Sequence, residues 1–119
     1  MKGHLNHVNV VEAQEAPDMV MGTFPVNSVP AAVLFDSGAS HSFVTKPFVE
    51  KSGMSYSRMH SPMLVQIPGE STEANHFCQE IPMVIQGKTF HADLIVLGSK
   101  GIEVVLGMNW MTKYKGVID

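Results

Sequence analysis

Apolar residues along the chain fall into short runs that end at Gly, Pro, Asn or Ser. Runs at 19–26 and 29–35 flank Asn27 and Ser28, a pair that favours a tight hairpin turn. Further extended runs share this character, and they occupy residues 61–67, 73–85, 89–97 and 102–107. A second tight turn is predicted at Gln86-Gly87-Lys88, and a turn cluster at residues 68–72.

Helical signals are sparse. Thr45 as N-cap, Pro47 in the first turn and Gly53 as the stop predict one short helix, and residues 109–114 predict another. The pattern thus predicts about six or seven short strands with at most two short helices, which is an all-β fold.

The character of the sequence changes near residue 18. Residues 1–17 are polar, contain no aromatic residue and end in Pro17, so we interpret them as a leader or linker before a domain at 18–119. The chain has 119 residues, of which 45% are hydrophobic and 16% charged. This length and composition predict one globular domain with a single core.

Charge and cysteine content narrow the function classes. The net charge is -3 and no Lys/Arg cluster occurs, which argues against direct nucleic-acid binding. The longest uncharged stretch is interrupted by prolines, so no membrane helix is predicted. Cys78 is the only cysteine, which excludes an intramolecular disulfide and suits a reducing compartment. His76 and Cys78 have no matching second pair of metal ligands, so neither a metal nor a cofactor is predicted.

One carboxylate stands out from this pattern. The apolar residues 32–35 lead directly into Asp36, which is followed by Ser37 and Gly38. A carboxylate at the end of a buried strand is unfavourable unless a hydrogen-bonded turn or a catalytic role compensates for it. Asp and Ser are ordinary turn residues, so the tripeptide alone is weak evidence for catalysis. A rigid carboxylate in a partly dehydrated turn is nevertheless what general acid–base chemistry requires.

Amide hydrolysis needs a second acidic group. Two carboxylates that share one proton can divide the work, because one activates water while the other protonates the carbonyl oxygen. The sequence contains a single Asp-Ser-Gly, so a symmetric homodimer would have to supply the second copy of Asp36. Within one chain, Asp93 is the first alternative to test.

Two longer motifs carry a family resemblance. The segment VLFDSGASHSFV at 33–44 and the segment VVLGMNWMTKYKGVID at 104–119 resemble the retropepsin-like aspartic proteases, in particular those of plant gypsy-type LTR retrotransposon gag-pol polyproteins. The resemblance covers nearly the whole chain. At position 109 this chain has Asn, where those polyproteins more often have Asp.

The resemblance implies a fold and a set of roles. It implies a single-lobed half-barrel with a flap hairpin, working as a homodimer without a cofactor on polypeptide substrates, here its own polyprotein. It also implies an intracellular location, in the cytoplasm within a virus-like particle. Asp36 matches the catalytic aspartate. The remaining positions would support the active-site loop (Ser37, Gly38, Ala39, Leu106 and Gly107) or form the flap that covers the substrate (Pro68, Gly69 and Glu70).

Two alternatives remain open at this stage. One is a retropepsin-like domain that dimerises or binds peptides without cleaving them. The other is a phosphorylation-dependent degron, formed by Asp36-Ser37-Gly38 followed by Ser40 and Ser42, which would require these serines to be exposed. His41 also lies close to Asp36 in sequence, but we interpret it as a loop residue rather than a base.

Overall fold

The structure is a computed structural model that describes residues 19–67, 70–98 and 101–114. Within these ranges the chain forms seven strands and two short helices. The strands are β1 (Met19–Val26), β2 (Val29–Asp36), β3 (Phe43–Thr45), β4 (Ser57–Ile67), β5 (Glu70–Ile85), β6 (Lys88–Leu97) and β7 (Val104–Leu106). The helices are α1 (Lys46–Ser52) and α2 (Met108–Lys113). The all-β prediction is therefore confirmed. The predicted leader at 1–17 lies outside the described residues.

All the strands belong to one sheet in the order β1-β2-β7-β3-β6-β5-β4. Strand β7 pairs in parallel with β2 and antiparallel with β3, while β3 pairs in parallel with β6. The sheet also folds back on itself, because β1 meets β5 at Val26 and Met83. The result is a half-barrel whose central strand, β3, and its neighbour β7 contribute only three residues each. No helix in the described ranges is long and apolar enough to cross a membrane.

The tight turns follow the predicted chemistry. Asn27 and Ser28 connect β1 to β2 with φ values of 52° and 70°, the left-handed backbone of a two-residue hairpin turn. Gln86 and Gly87 connect β5 to β6 with φ values of 53° and 78°. Helix α1 ends at Gly53, whose φ of 72° is the left-handed conformation that favours glycine at this position.

Some predicted boundaries are wrong. Strand β4 begins at Ser57 rather than at residue 61, because its polar first half pairs with β5 through Ser57 and Arg58. Glu70, placed by the sequence in a turn cluster, is the first residue of β5 and pairs with Ile67. Strand β7 is shorter than the predicted run at 102–107.

Helix α2 is anchored to the core by its aromatic residues. Trp110 is buried, with ring centroids 5.9 Å from Phe35 and 5.7 Å from Phe90. At the C-terminal end of the helix, the Tyr114 hydroxyl donates to the carbonyl oxygen of His91 and accepts from the His91 N–H, both at 3.1 Å. These contacts attach α2 to the core and to β6.

Candidate active site

Strand β2 is apolar along its length because it is buried on both faces. Val33 and Phe35 pack into the larger core cluster, whereas Leu34 packs into a second cluster on the other face. Its neighbours β1 and β7 cover its edges, with Phe35 opposite Leu106. Asp36 is the last residue of this strand, and only 1% of its surface is exposed. The buried apolar strand before Asp36 therefore places the Asp36 carboxylate in the interior of the domain.

The turn after Asp36 orients its side chain. The Gly38 N–H donates to Asp36 Oδ1 at 2.8 Å, and the Ala39 N–H donates to the Asp36 carbonyl oxygen at 3.1 Å. A Cβ on Gly38 would lie 3.2 Å from Asp36 Oδ1, so a side chain there would require this oxygen to shift by a few tenths of an ångström. Ser37 is half-buried and Ala39 is buried. A backbone N–H directed at the carboxylate restricts its orientation.

Strand β7 and the start of α2 lie directly against this loop. Leu106 is fully buried, and the Met108 N–H donates to the Ala39 carbonyl oxygen at 2.7 Å. A Cβ on Gly107 would lie 2.3 Å from the carbonyl oxygen of His41 and 2.6 Å from that of Ala39. Only glycine permits this approach, so the loop rests on the backbone of Gly107.

Two further residues join the loop to α2, and the sequence did not identify them as site residues. The Ser42 hydroxyl accepts from the Gly107 N–H at 3.0 Å and donates to Asn109 Oδ1 at 2.8 Å. Gly107 and Asn109 lie 65 and 67 residues from Ser42 along the chain, so no local motif indicates these hydrogen bonds. Only 1% of the Ser42 surface is exposed, which contradicts the degron alternative at this serine.

The proposed flap residues follow directly after Ile67, the last residue of β4. Pro68 and Gly69 lie outside the described residues, and Glu70 begins β5. The pairing between β4 and β5 continues as far as Ile67 and Glu70, the described residues on either side of positions 68 and 69. The hairpin reaches the active-site loop, because Val65 and Ala74 share the second core cluster with Ala39. The hairpin and the loop after Asp36 thus pack into the same buried apolar cluster.

A cavity of about 220 Å³ lies beside the loop. Its wall includes His41, whose Nδ1 lies 3.1 Å from the Ser40 hydroxyl oxygen. The residues that line it come from the loop, the hairpin, β6 and α2: His41, Ser42, Met59, Phe77, Asp93, Leu94, Ile95 and Asn109. His41 is a loop residue, as expected.

The surroundings of Asp93 and Cys78 indicate structural roles rather than catalytic ones. Asp93 Oδ1 accepts from the Glu80 N–H at 2.9 Å, and Glu80 has a φ of 52° within the irregular register of β5. Asp93 thereby stabilises a bulge. Burial raises the pKa of the Cys78 thiol to about 11, which keeps it neutral and unreactive. Among the residues that the structure describes, no three His, Cys, Asp or Glu side chains come together as a metal site.

Comparison with known proteins gives consistent results. A family model described as retroviral aspartyl protease matches residues 1–119. The retroviral protease-like domain of Ddi1 from Leishmania major is similar in structure, with a TM-score of 0.66 and 19% identity over 85% of this chain and 81% of that one. The EIAV protease in complex with the inhibitor HBY-793 has a TM-score of 0.62 and 16% identity, over 83% of this chain and 90% of that one.

A third solved structure is more similar in sequence. The retropepsin-like aspartic protease from Rickettsia conorii shares 28% identity, with a TM-score of 0.57 over 82% of this chain and 74% of that one. No curated protein matches the chain. The structural likenesses at 19% and 16% identity bear on the fold alone, whereas the family model covers the sequence from end to end.

Proposed function

The chain belongs to the retroviral aspartyl protease family and has its retropepsin-like fold, and from this premise we propose that it is an aspartic endopeptidase. The observation that carries the proposal is the placement of Asp36. Its carboxylate is buried at the end of a strand that is itself buried on both faces, and a backbone N–H holds it in one orientation. A structural turn would not need such a buried carboxylate, because an exposed aspartate makes the same hydrogen bond at a lower desolvation cost.

The proposed active unit is a homodimer. Each chain contributes one Asp36, and a two-fold axis would bring the two carboxylates together. One ionised carboxylate removes a proton from water, while its protonated partner donates a hydrogen bond to the scissile carbonyl. Attack by the water on the carbonyl carbon gives a tetrahedral intermediate, and protonation of the amide nitrogen releases the amine. Because the pair works with one shared proton, we expect activity on the acidic side of neutral pH.

The substrate is proposed to be a polypeptide in extended conformation. The β4–β5 hairpin would close over it, with Pro68, Gly69 and Glu70 near the scissile bond, and closure would exclude water. The cavity beside the loop after Asp36 is lined in part by the apolar side chains of Met59, Phe77 and Ile95. We therefore expect apolar substrate side chains next to the cleaved bond.

The biological substrate is proposed to be the protein's own polyprotein. The resemblance to gypsy-type retrotransposon proteases supports maturation of a gag-pol precursor inside a cytoplasmic virus-like particle. The proposal requires neither a metal nor a cofactor.

A cleavage assay with a matched pair of substitutions tests the catalytic proposal. Asp36→Asn removes the ionisable group but keeps an oxygen that can accept from Gly38, and Asp93→Asn makes the same change at the β5 bulge. We expect Asp36→Asn to lose all measurable cleavage of a mixed peptide library between pH 4 and 7, and Asp93→Asn to retain it. Pepstatin, a mimic of the tetrahedral intermediate, should inhibit the unmodified protein.

Either of two results would overturn the proposal. Cleavage that survives Asp36→Asn would remove Asp36 from the mechanism. A protein that is dimeric by sedimentation yet cleaves no peptide would favour the non-catalytic, peptide-binding alternative.

A further inference from the structure

The loop that follows Asp36 is fastened to α2 at two points. The Met108 N–H donates to the Ala39 carbonyl oxygen at 2.7 Å, three residues after Asp36. At the far end of the loop, Ser42 bonds to both Gly107 and Asn109. Between these points the loop carbonyls of Ala39 and His41 rest on Gly107. The family resemblance assigns a supporting role to Gly107 but none to Ser42 or Asn109.

Hydrogen-bond directions show why these two residue types are required. The Ser42 hydroxyl has one proton, and because its oxygen accepts from the Gly107 N–H, that proton is directed to Asn109 Oδ1. The same Oδ1 accepts from the Trp110 N–H at 2.8 Å. Two donors converge on this atom, so it must be an oxygen, and the amide orientation is determined. Both polar functions of the buried Ser42 hydroxyl are therefore satisfied.

We propose that the Ser42–Asn109 pair is a positioning element for catalysis, which holds the loop so that the Asp36 carboxylate stays aligned for reaction. This rests on the proposed function. The pair acts through the backbone of residues 37–42, which leads from the end of β2 to the fastened Ser42. A small displacement of a catalytic group lowers the rate of the chemical step more than it lowers substrate binding.

Steady-state kinetics of four variants test this assignment. Ser42→Ala removes the donor, and Asn109→Leu removes the acceptor at similar size. Each should lower kcat by about 10- to 100-fold with KM changed less than about threefold. The double substitution should be no worse than the more severe single one, because the two residues form one interaction. Asn109→Asp keeps the acceptor oxygen and should restore most of kcat.

Two precautions separate positioning from general stability. Each kcat is measured at that variant's own optimal pH, since the carboxylate introduced by Asn109→Asp adds a charge to a cavity that His41 and Asp93 also line. Tyr114→Phe is the control, because it removes both hydrogen bonds to His91 at the other end of α2. It should lower the melting temperature and leave kcat unchanged.

The outcomes are distinguishable. An unmodified protein without activity would refute the proposed function itself. An active protein whose kcat is unaffected by Ser42→Ala, or whose kcat falls equally with Tyr114→Phe, would refute the positioning role alone. The same conclusion follows if Asn109→Asp is as slow as Asn109→Leu.

Discussion

At the scale of single residues, the site depends on the close approach of the Gly107 backbone to the carbonyl oxygens of Ala39 and His41. Asp36 and Gly38 were recognisable from the sequence, because a carboxylate after an apolar run and a glycine in the following turn are local signals. Gly107 was assigned a role only through the family resemblance. Ser42 and Asn109 were not recognisable, because their hydrogen bonds join positions 67 residues apart. Asp93 was considered as a possible acid, and only the fold revealed its bond to the β5 bulge.

Gly107→Ala tests the close approach directly. The added Cβ would lie 2.3 Å from the His41 carbonyl oxygen, so the loop would have to move away from α2. We expect a loss of about 1–3 kcal/mol or more in the free energy of unfolding, measured by urea denaturation, and a large loss of cleavage activity.

Gly98→Ala is the matched control, because a Cβ there meets no atom within 4 Å. Its stability and activity should remain close to those of the unmodified protein. Equal behaviour of the two variants would show that the loop does not rest on Gly107.

At the scale of elements, hairpins and helices were predicted more accurately than strand ends. Turn residues have backbone preferences of their own. The two hairpin turns at Asn27-Ser28 and Gln86-Gly87 and the helix end at Gly53 could therefore be predicted from residue type alone. The first half of β4 carries no such signal. It is polar and exposed, and it is a strand only because β5 supplies hydrogen-bond partners. Glu70 was misplaced for the same reason, since its pairing with Ile67 is a property of the hairpin.

The two hairpin turns allow a prediction about stability. Both have positive φ at two consecutive residues, but the second position is Gly87 in one turn and Ser28 in the other, at φ of 70°. A left-handed backbone is unfavourable for a residue that carries a Cβ. Ser28→Gly should therefore stabilise the protein by up to about 1 kcal/mol, seen as a melting temperature a few degrees higher.

The reverse change in the other turn is its control. Gly87→Ser should lower the melting temperature by a similar amount, because it introduces the strain that Ser28→Gly removes. A lower melting temperature for Ser28→Gly would show that the left-handed backbone at residue 28 does not reduce the stability of the protein.

At the scale of the whole molecule, the fold class was predictable and the assembly was not. Alternating apolar runs and turn residues indicated an all-β domain, and the motif pair at 33–44 and 104–119 resembled the right family. The parallel pairing of β2 with β7 brings these distant motifs together. A second carboxylate cannot be read from one chain in the same way, because the two-fold axis proposed for it is a relation between copies.

A mixing experiment tests the proposed catalytic pair of Asp36 residues most directly. Unmodified and Asp36→Asn chains are unfolded together, refolded in varying proportions, and assayed at a total concentration where sedimentation shows only dimer. If each active site needs Asp36 from both chains, mixed dimers are inactive and activity falls with the square of the unmodified fraction. An equal mixture should retain about one quarter of the activity of the unmodified protein alone. Retention of about one half, in simple proportion to the unmodified chain, would contradict a shared site and show that each chain catalyses by itself.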